Sequence, residues 1–205
     1  MVKHIIIFGS TGVTGLCVTA AALERGLKIR AFVRDPTLLP EPLQKRVEIV
    51  KGDVLDYSAV SNGVKGTEAV VVALGTRSDP SPTTVLSDGL RNIISAMKEE
   101  NVEIISVCLS AFLFFDIESG LVPDRLKDLT KEHRRMYDAL KVSDLKYVAV
   151  FPPHISPDPA TGYIVAHDMY ISRKVSKYDL ANFLLDCLDL KEYYKSVIGI
   201  ASKRY

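Results

Sequence analysis

The segment IIIFGSTGVTG, residues 5–15, constrains this chain more than any other part of it. A short apolar run leads at once into Gly9, Gly12 and Gly15, spaced G-x-x-G-x-x-G. The residues beyond, 13–25, read as a helix ended by Gly26. Few folds pass from strand to helix through so short a turn. Gly9 lets the chain turn sharply out of the strand, and Gly15 lets helix and strand pack closely. Gly12 leaves the backbone bare where free N–H groups and the positive end of the helix dipole gather, a place suited to a phosphate. The alternative is a tight strand–helix turn with no ligand.

The rest of the chain repeats the strand–helix alternation. Strands are expected at 4–8, 28–33, 47–51, 69–74, 103–108 and 146–151. Helices are expected at 58–63, at 82–101 (capped by Ser81 with Pro82 in its first turn) and at 125–142. Val85, Leu86, Leu90, Ile93, Ile94 and Met97 make one apolar stripe on the second of these. After Phe151 the pattern weakens through Pro152, Pro153, Pro157 and Pro159. Short strands at 163–166 and 170–175, a helix at 177–190 capped by Ser176, and a last edge strand at 197–201 complete the reading. Strict alternation implies parallel strands joined by right-handed crossovers. The fold class is therefore α/β, a Rossmann-type doubly wound parallel sheet with helices on both faces. Residues 1–205 form a single domain, with the part from about 152 onward contributing to a substrate site. Such sheets bind ligands at the carboxyl ends of their strands, where the winding reverses.

Composition narrows the function classes. With 47% hydrophobic and 25% charged residues the chain is that of an ordinary globular protein, and its net charge of +1 gives no global attraction for nucleic acid or an anionic membrane. Cys17, Cys108 and Cys187 are widely separated and suggest neither a disulfide framework nor a metal site. The apolar run before Gly9 is too short for a signal peptide core or a bilayer span. A cytoplasmic monomer acting on a small molecule is expected.

With a strand before it and a helix after it, the glycine loop points to a dinucleotide pyrophosphate. The second expected strand ends in Val33-Arg34-Asp35. An acid there usually holds the ribose 2′-OH of NAD, and an arginine accepts the 2′-phosphate of NADP. Arg34, with the Thr11 hydroxyl, favours NADP(H); the alternative is a solvated Arg34 paired with Asp35. Asp53 could accept the adenine amine with Val54 against the ring, or simply cap a turn. Gly75 and Arg77 end the fourth strand on the same crevice. Ser110 ends the fifth strand, where it could bond substrate or serve as a turn serine. His154 follows the sixth strand, where a carboxamide would lie. Phe112, Phe114 and Phe115 form an aromatic-rich loop able to cover a planar substrate, although one of the three is expected to be core only. Arg125 and Arg173 could meet an anionic group on the substrate. Cys108 borders the crevice, but buried strand thiols are usually inert.

The segments IFGSTGVTG, FVRD, KGDVLD, LGTRSDPSPTT, GLRNIISAMK, SAFLFFD, LKYVAVFPPHI and SKYDL resemble the biliverdin-IXβ reductase/flavin reductase family, an atypical branch of the short-chain dehydrogenases/reductases. The resemblance runs across nearly the whole chain. It implies an NADPH-dependent reductase that passes hydride to flavins and linear tetrapyrroles. Carried over by position, it implies a cofactor set of Gly9, Thr11, Gly12, Val13, Thr14, Gly15, Arg34, Thr37, Asp53, Val54, Leu74, Gly75, Arg77, Cys108, His133, His154 and Ile155. It also implies Ser110, His133 and His154 at the reacting centre, with Ser110, Phe112, Phe115 and Arg125 toward the substrate. One departure stands out: the family's second arginine, four residues after Arg34, is Leu38 here.

The superfamily also uses a Tyr-x-x-x-Lys pair, and Tyr137 with Lys141 has that spacing. In the superfamily register, counted back from Leu145, the lysine position falls on His133 and the tyrosine position near Leu129. Tyr137 and Lys141 come too late in the helix. The site is therefore expected to lack a tyrosine acid, which suits flavin reduction because the proton can come from water. His133 is expected at the ribose or nicotinamide, with proton relay as its alternative role. Two other functions remain open: a non-enzymatic NADP-binding redox sensor, and a Tyr137–Lys141 dehydrogenase acting on carbonyls.

Overall fold

The computed structural model describes residues 1–77 and 79–203. Ten strands are present among them: β1 His4–Phe8, β2 Lys28–Val33, β3 Glu48–Lys51, β4 Ala69–Val72, β5 Ile104–Cys108, β6 Lys146–Phe151, β7 His154–Ser156, β8 Tyr163–His167, β9 Lys174–Ser176 and β10 Ser196–Ser202. The helices are α1 Val13–Glu24, α2 Glu41–Gln44, α3 Tyr57–Val64, α4 Val85–Glu99, α5 Lys127–Lys141 and α6 Lys177–Asp186. The main sheet runs β3-β2-β1-β4-β5-β6-β10-β8, and β7 pairs with β9 in a separate ribbon. The seven strands from β3 to β10 are parallel; β8 lies antiparallel to β10.

The apolar run of β1 explains the layering. Side chains alternate across a strand, so a continuous apolar run is buried on both faces. Ile6 and Phe8 join the core under α3, α4 and α5, while Ile5 and Ile7 join the core under α1 and α6. Each of these fully buried side chains contributes roughly 1.5–3 kcal/mol relative to exposure. From β1 the chain winds outward through β2 and β3, then returns to place β4 on the other side of β1. The winding therefore reverses between β1 and β4, and the crevice opens at their carboxyl ends.

Three expectations are corrected. The helix expected from Pro82 begins at Val85, after Thr84. Asp79 accepts the Ser81 N–H and Thr83 the Val85 N–H, so local turns hold the segment out of the helix, and Val85 is exposed. The last strand is not an edge, because β8 folds back beside β10 and takes that position. The strand expected at 170–175 is confined to Lys174–Ser176, where β9 pairs with β7.

A buried carboxylate ties α5 to the start of α4. Glu132 is fully enclosed and accepts bonds from the Ser87 N–H and hydroxyl and from Arg135. Arg135 also donates to the Thr83 carbonyl. The pair thereby pins the end of the loop that leaves β4, with its buried charge fully bonded.

Candidate functional site

At the carboxyl end of β1, Gly9 adopts φ +87°, and a Cβ there would lie 2.3 Å from the Ala73 carbonyl oxygen. The ends of β1 and β4 are thus in direct contact at the winding reversal. A Cβ on Gly15 would lie 2.1 Å from the Gly9 carbonyl oxygen, so only glycine lets α1 seat on the turn. Gly12 donates its N–H to the Gly9 carbonyl and is the N-cap of α1. No side chain caps that helix and no acid occupies its first turn, which leaves its N–H groups open to an anion. Ser10 is buried and bonds the Phe32 carbonyl, joining the loop to the end of β2. Thr11 and Thr14 are half-buried at this loop, and Val13 is exposed.

The end of β2 carries the adenosine-side candidates. Arg34, Lys51, Gly52 and Asp53 line an open cavity of about 410 Å³. No motif in the sequence singles out Lys51. The β2–β3 register pairs Val33 with Lys51, which sets Arg34 and Lys51 at the same cavity. Lys51 thus supplies a second cation where Leu38, exposed and apolar, offers none. Asp35 does not pair with Arg34; its carboxylate accepts the Thr37 N–H and hydroxyl, and these bonds lower its pKa. That engages both the acid that would hold a ribose diol and the Thr37 side chain. Asp53 accepts the Leu55 N–H through Oδ1, so it both caps a turn and lines the cavity. Val54 departs from expectation. Its side chain is buried in the notch that Gly89 leaves on α4, so any ligand contact must use its backbone.

Beyond β4, Leu74 is half-buried against the core, Gly75 and Arg77 are exposed, and a Cβ at Gly75 would meet nothing within 4 Å. Arg77 holds φ +61°, a strained conformation for a non-glycine residue. Cys108 is buried on the α1/α6 face, and desolvation pushes its thiol up to about 12. Its thiol is therefore inert at neutral pH, and any part it takes in binding falls to its backbone.

The remaining candidates gather at the carboxyl ends of β5 and β6. Ser110 accepts the Phe112 N–H, capping the 3-10 turn Ala111–Phe114. Phe114 packs on Phe151, ring centroids 5.0 Å apart, and is the core member of the aromatic trio. Phe115 meets Tyr170 edge-on at 5.2 Å, and Phe112 is half-buried. His154 is exposed in β7, with its N–H on the Arg173 carbonyl; Ile155 packs toward the α1/α6 core. Arg125 is exposed in the turn before α5.

His133 lies in α5 with Nδ1 buried and unpartnered, a polar atom left for a ligand. Burial lowers its pKa to about 4, opposed in part by Glu132. The ring is neutral at pH 7, so in the proton-relay alternative it would hold a proton only transiently. Tyr137 stacks edge-on against Phe151, and Lys141 sits over its ring while pairing with Asp138. That contact holds Tyr137 in the α5–β6 packing and raises its pKa, first by desolvation, while Lys141 stays exposed.

A bare helix N-terminus at the winding reversal of a doubly wound sheet defines a Rossmann-type dinucleotide-binding domain. Residues 9–191 match the NAD(P)H-binding family, and the chain belongs to it. An oxidoreductase from Pestalotiopsis microspora is 27% identical over 207 residues, which cover 89% of this chain and 78% of that protein. A short-chain dehydrogenase/reductase from Veillonella parvula in complex with NADP superposes with a TM-score of 0.83 at 20% identity, over 98% of this chain and 95% of that one. A Rossmann-fold NAD(P)-binding family protein from Shigella flexneri gives a TM-score of 0.77 at 22% identity, over 100% and 98% of the two chains. These two likenesses establish the fold.

Proposed function

We propose that this protein is an NADPH-dependent reductase that delivers hydride to flat conjugated acceptors, flavins and linear tetrapyrroles. The observation that carries the reading is the character of the mouth at β5 and β6. There Ser110 and the Phe112–Phe115 turn are tied to the end of β6 by the Ala111 N–H on the Pro152 carbonyl, with Phe115 against Tyr170, while Tyr137 packs edge-on against Phe151 and the exposed Lys141 pairs with Asp138. The oxidoreductase from Pestalotiopsis microspora and the NADP complex from Veillonella parvula agree with the reaction class and the cofactor.

NADPH, when bound, supplies the hydride. The protein's part is positioning. The uncapped start of α1 receives the pyrophosphate, while Arg34 and Lys51 favour a 2′-phosphate over a bare ribose. His133 stays neutral and presents Nδ1 to the ribose or nicotinamide. Ser110 and His154 orient the reacting edge, and Phe112 and Phe115 cover the acceptor's face. No side chain need give up a proton, since a reduced flavin takes one from water. A small-molecule acceptor and a monomeric working unit fit this arrangement.

Steady-state NADPH oxidation with riboflavin, FMN or biliverdin-IXβ tests the reading. Turnover is expected, and Tyr137→Phe should keep it within about twofold (~0.4 kcal/mol). NADPH binding without turnover on any acceptor would sink the reductase and leave the redox-sensor function. Loss of activity in Tyr137→Phe would favour the carbonyl dehydrogenase.

A further inference from the structure

We infer that the acceptor site extends into a second, basic subsite that takes an oxyanion tail carried by the planar ring. The inference rests on the reading above. A cavity of about 320 Å³ opens between the Phe115 loop and the first turns of α5, lined by Phe115, Asp116, Ile117, Thr130, Lys131 and Arg134. It shares Phe115 with the mouth of the site, so a ring covered by Phe115 has this cavity next to it.

The lining suits an anion attached to an apolar body. Phe115 and Ile117 offer apolar surface, and two cations face one carboxylate. Asp116 is partly spent, because its Oδ1 accepts the Glu118 N–H. Lys131 has Asp128 on the same helix at 3.2 Å, an exposed pair that holds it weakly. Arg134 donates one N–H to the Leu113 carbonyl, which fixes the guanidinium against the wall. Among the described residues no carboxylate pairs with it. A guanidinium positioned by one bond, with other donors left over, is pre-organised for phosphate or carboxylate. Arg125 and Arg173, the cations expected from sequence for this task, do not line the cavity. A flavin phosphate and a tetrapyrrole propionate share the required chemistry.

The test uses the full chain loaded with NADP⁺. Riboflavin and FMN are titrated by flavin fluorescence, and biliverdin and its dimethyl ester by absorbance. The wild type should bind at least one charged ligand roughly tenfold tighter than its uncharged partner, the preference that one charge-assisted contact supplies. Lys131→Gln and Arg134→Gln should each cut that ratio to about twofold. Arg134→Gln could loosen the Leu113 turn; Lys131→Gln changes an exposed side chain and keeps the test sound. Ratios near one for both pairs in the wild type, including failure of all four to bind, would overturn the subsite. So would a preference that neither variant reduces. A charge preference lost in the variants without NADPH turnover on any of these ligands would keep the subsite and reject the reductase.

Discussion

At the residue scale, the proposed preference for NADPH rests on Arg34 and Lys51. Both are on the rim of one cavity, and Asp35 is turned away to bond Thr37. In the proposed site, removing either cation should leave the pyrophosphate loop intact and cost only a contact to the 2′-phosphate. Lys51→Ala is expected to raise the KM for NADPH roughly tenfold, about 1.4 kcal/mol, and to leave the KM for NADH within about twofold. Equal KM changes for the two cofactors would remove Lys51 from this role. His133 makes a second prediction. Its folded pKa of about 4 lies below the ordinary value of 6.5, so the unfolded chain takes up the proton first as pH falls. The stability contributed by the neutral ring is fully present above pH 6.5 and is lost as pH drops toward 4. Urea midpoints of the wild type should fall across that window more steeply than those of His133→Gln. Parallel pH profiles would show that the ring titrates normally.

At the scale of elements, the proposed substrate wall depends on a strand far from it in sequence. A Cβ on Gly199 in β10 would lie 1.8 Å from the Met169 carbonyl oxygen, so the segment after β8 rests directly on that strand. The next residue, Tyr170, is the one that meets Phe115. Gly199→Ala must push this segment outward. The expected result is a fall in kcat/KM for the acceptor of roughly tenfold to a hundredfold, with the Kd for NADPH nearly unchanged. An equal loss of NADPH binding would mean that the whole sheet edge had shifted. The strands at 163–166 and 197–201 were legible in the sequence, but their antiparallel pairing and the contact of Gly199 with Met169 were not, because both form only after a long return of the chain. The parallel strands were legible because each carries its own signal, a continuous apolar run. The start of α4 was misplaced because Pro82 and Ser81 suit a helix start, while Asp79 and Thr83 hold a competing turn. Lys51 escaped notice for a related reason. Its local sequence is an ordinary strand end, and its meaning comes from the register that sets it beside Arg34. The glycine loop was legible because the Gly9 turn and the Gly15–Gly9 contact are local, although the contact of Gly9 with Ala73 comes from the end of β4.

At the scale of the molecule, the candidate cofactor site spans segments far apart in the chain. The glycine loop follows β1, Arg34 follows β2, Asp53 follows β3, Gly75 follows β4, and His133 comes from α5. A ligand reaching all of these binds only the folded chain, so it must stabilise the fold by mass action. At a hundred times its Kd, NADPH should add about 2.7 kcal/mol. For a domain of this size each kcal/mol moves the melting temperature by roughly 2–4 °C, so a rise of roughly 5–10 °C is expected. NADH at the same concentration should give a smaller rise, because it offers nothing to Arg34 and Lys51. Thermal melts of the wild type with each nucleotide would read both effects. A ligand held only by the glycine loop would make the two rises equal. No rise with either nucleotide would reduce the loop to a strand–helix turn, with the sheet reversal left unused.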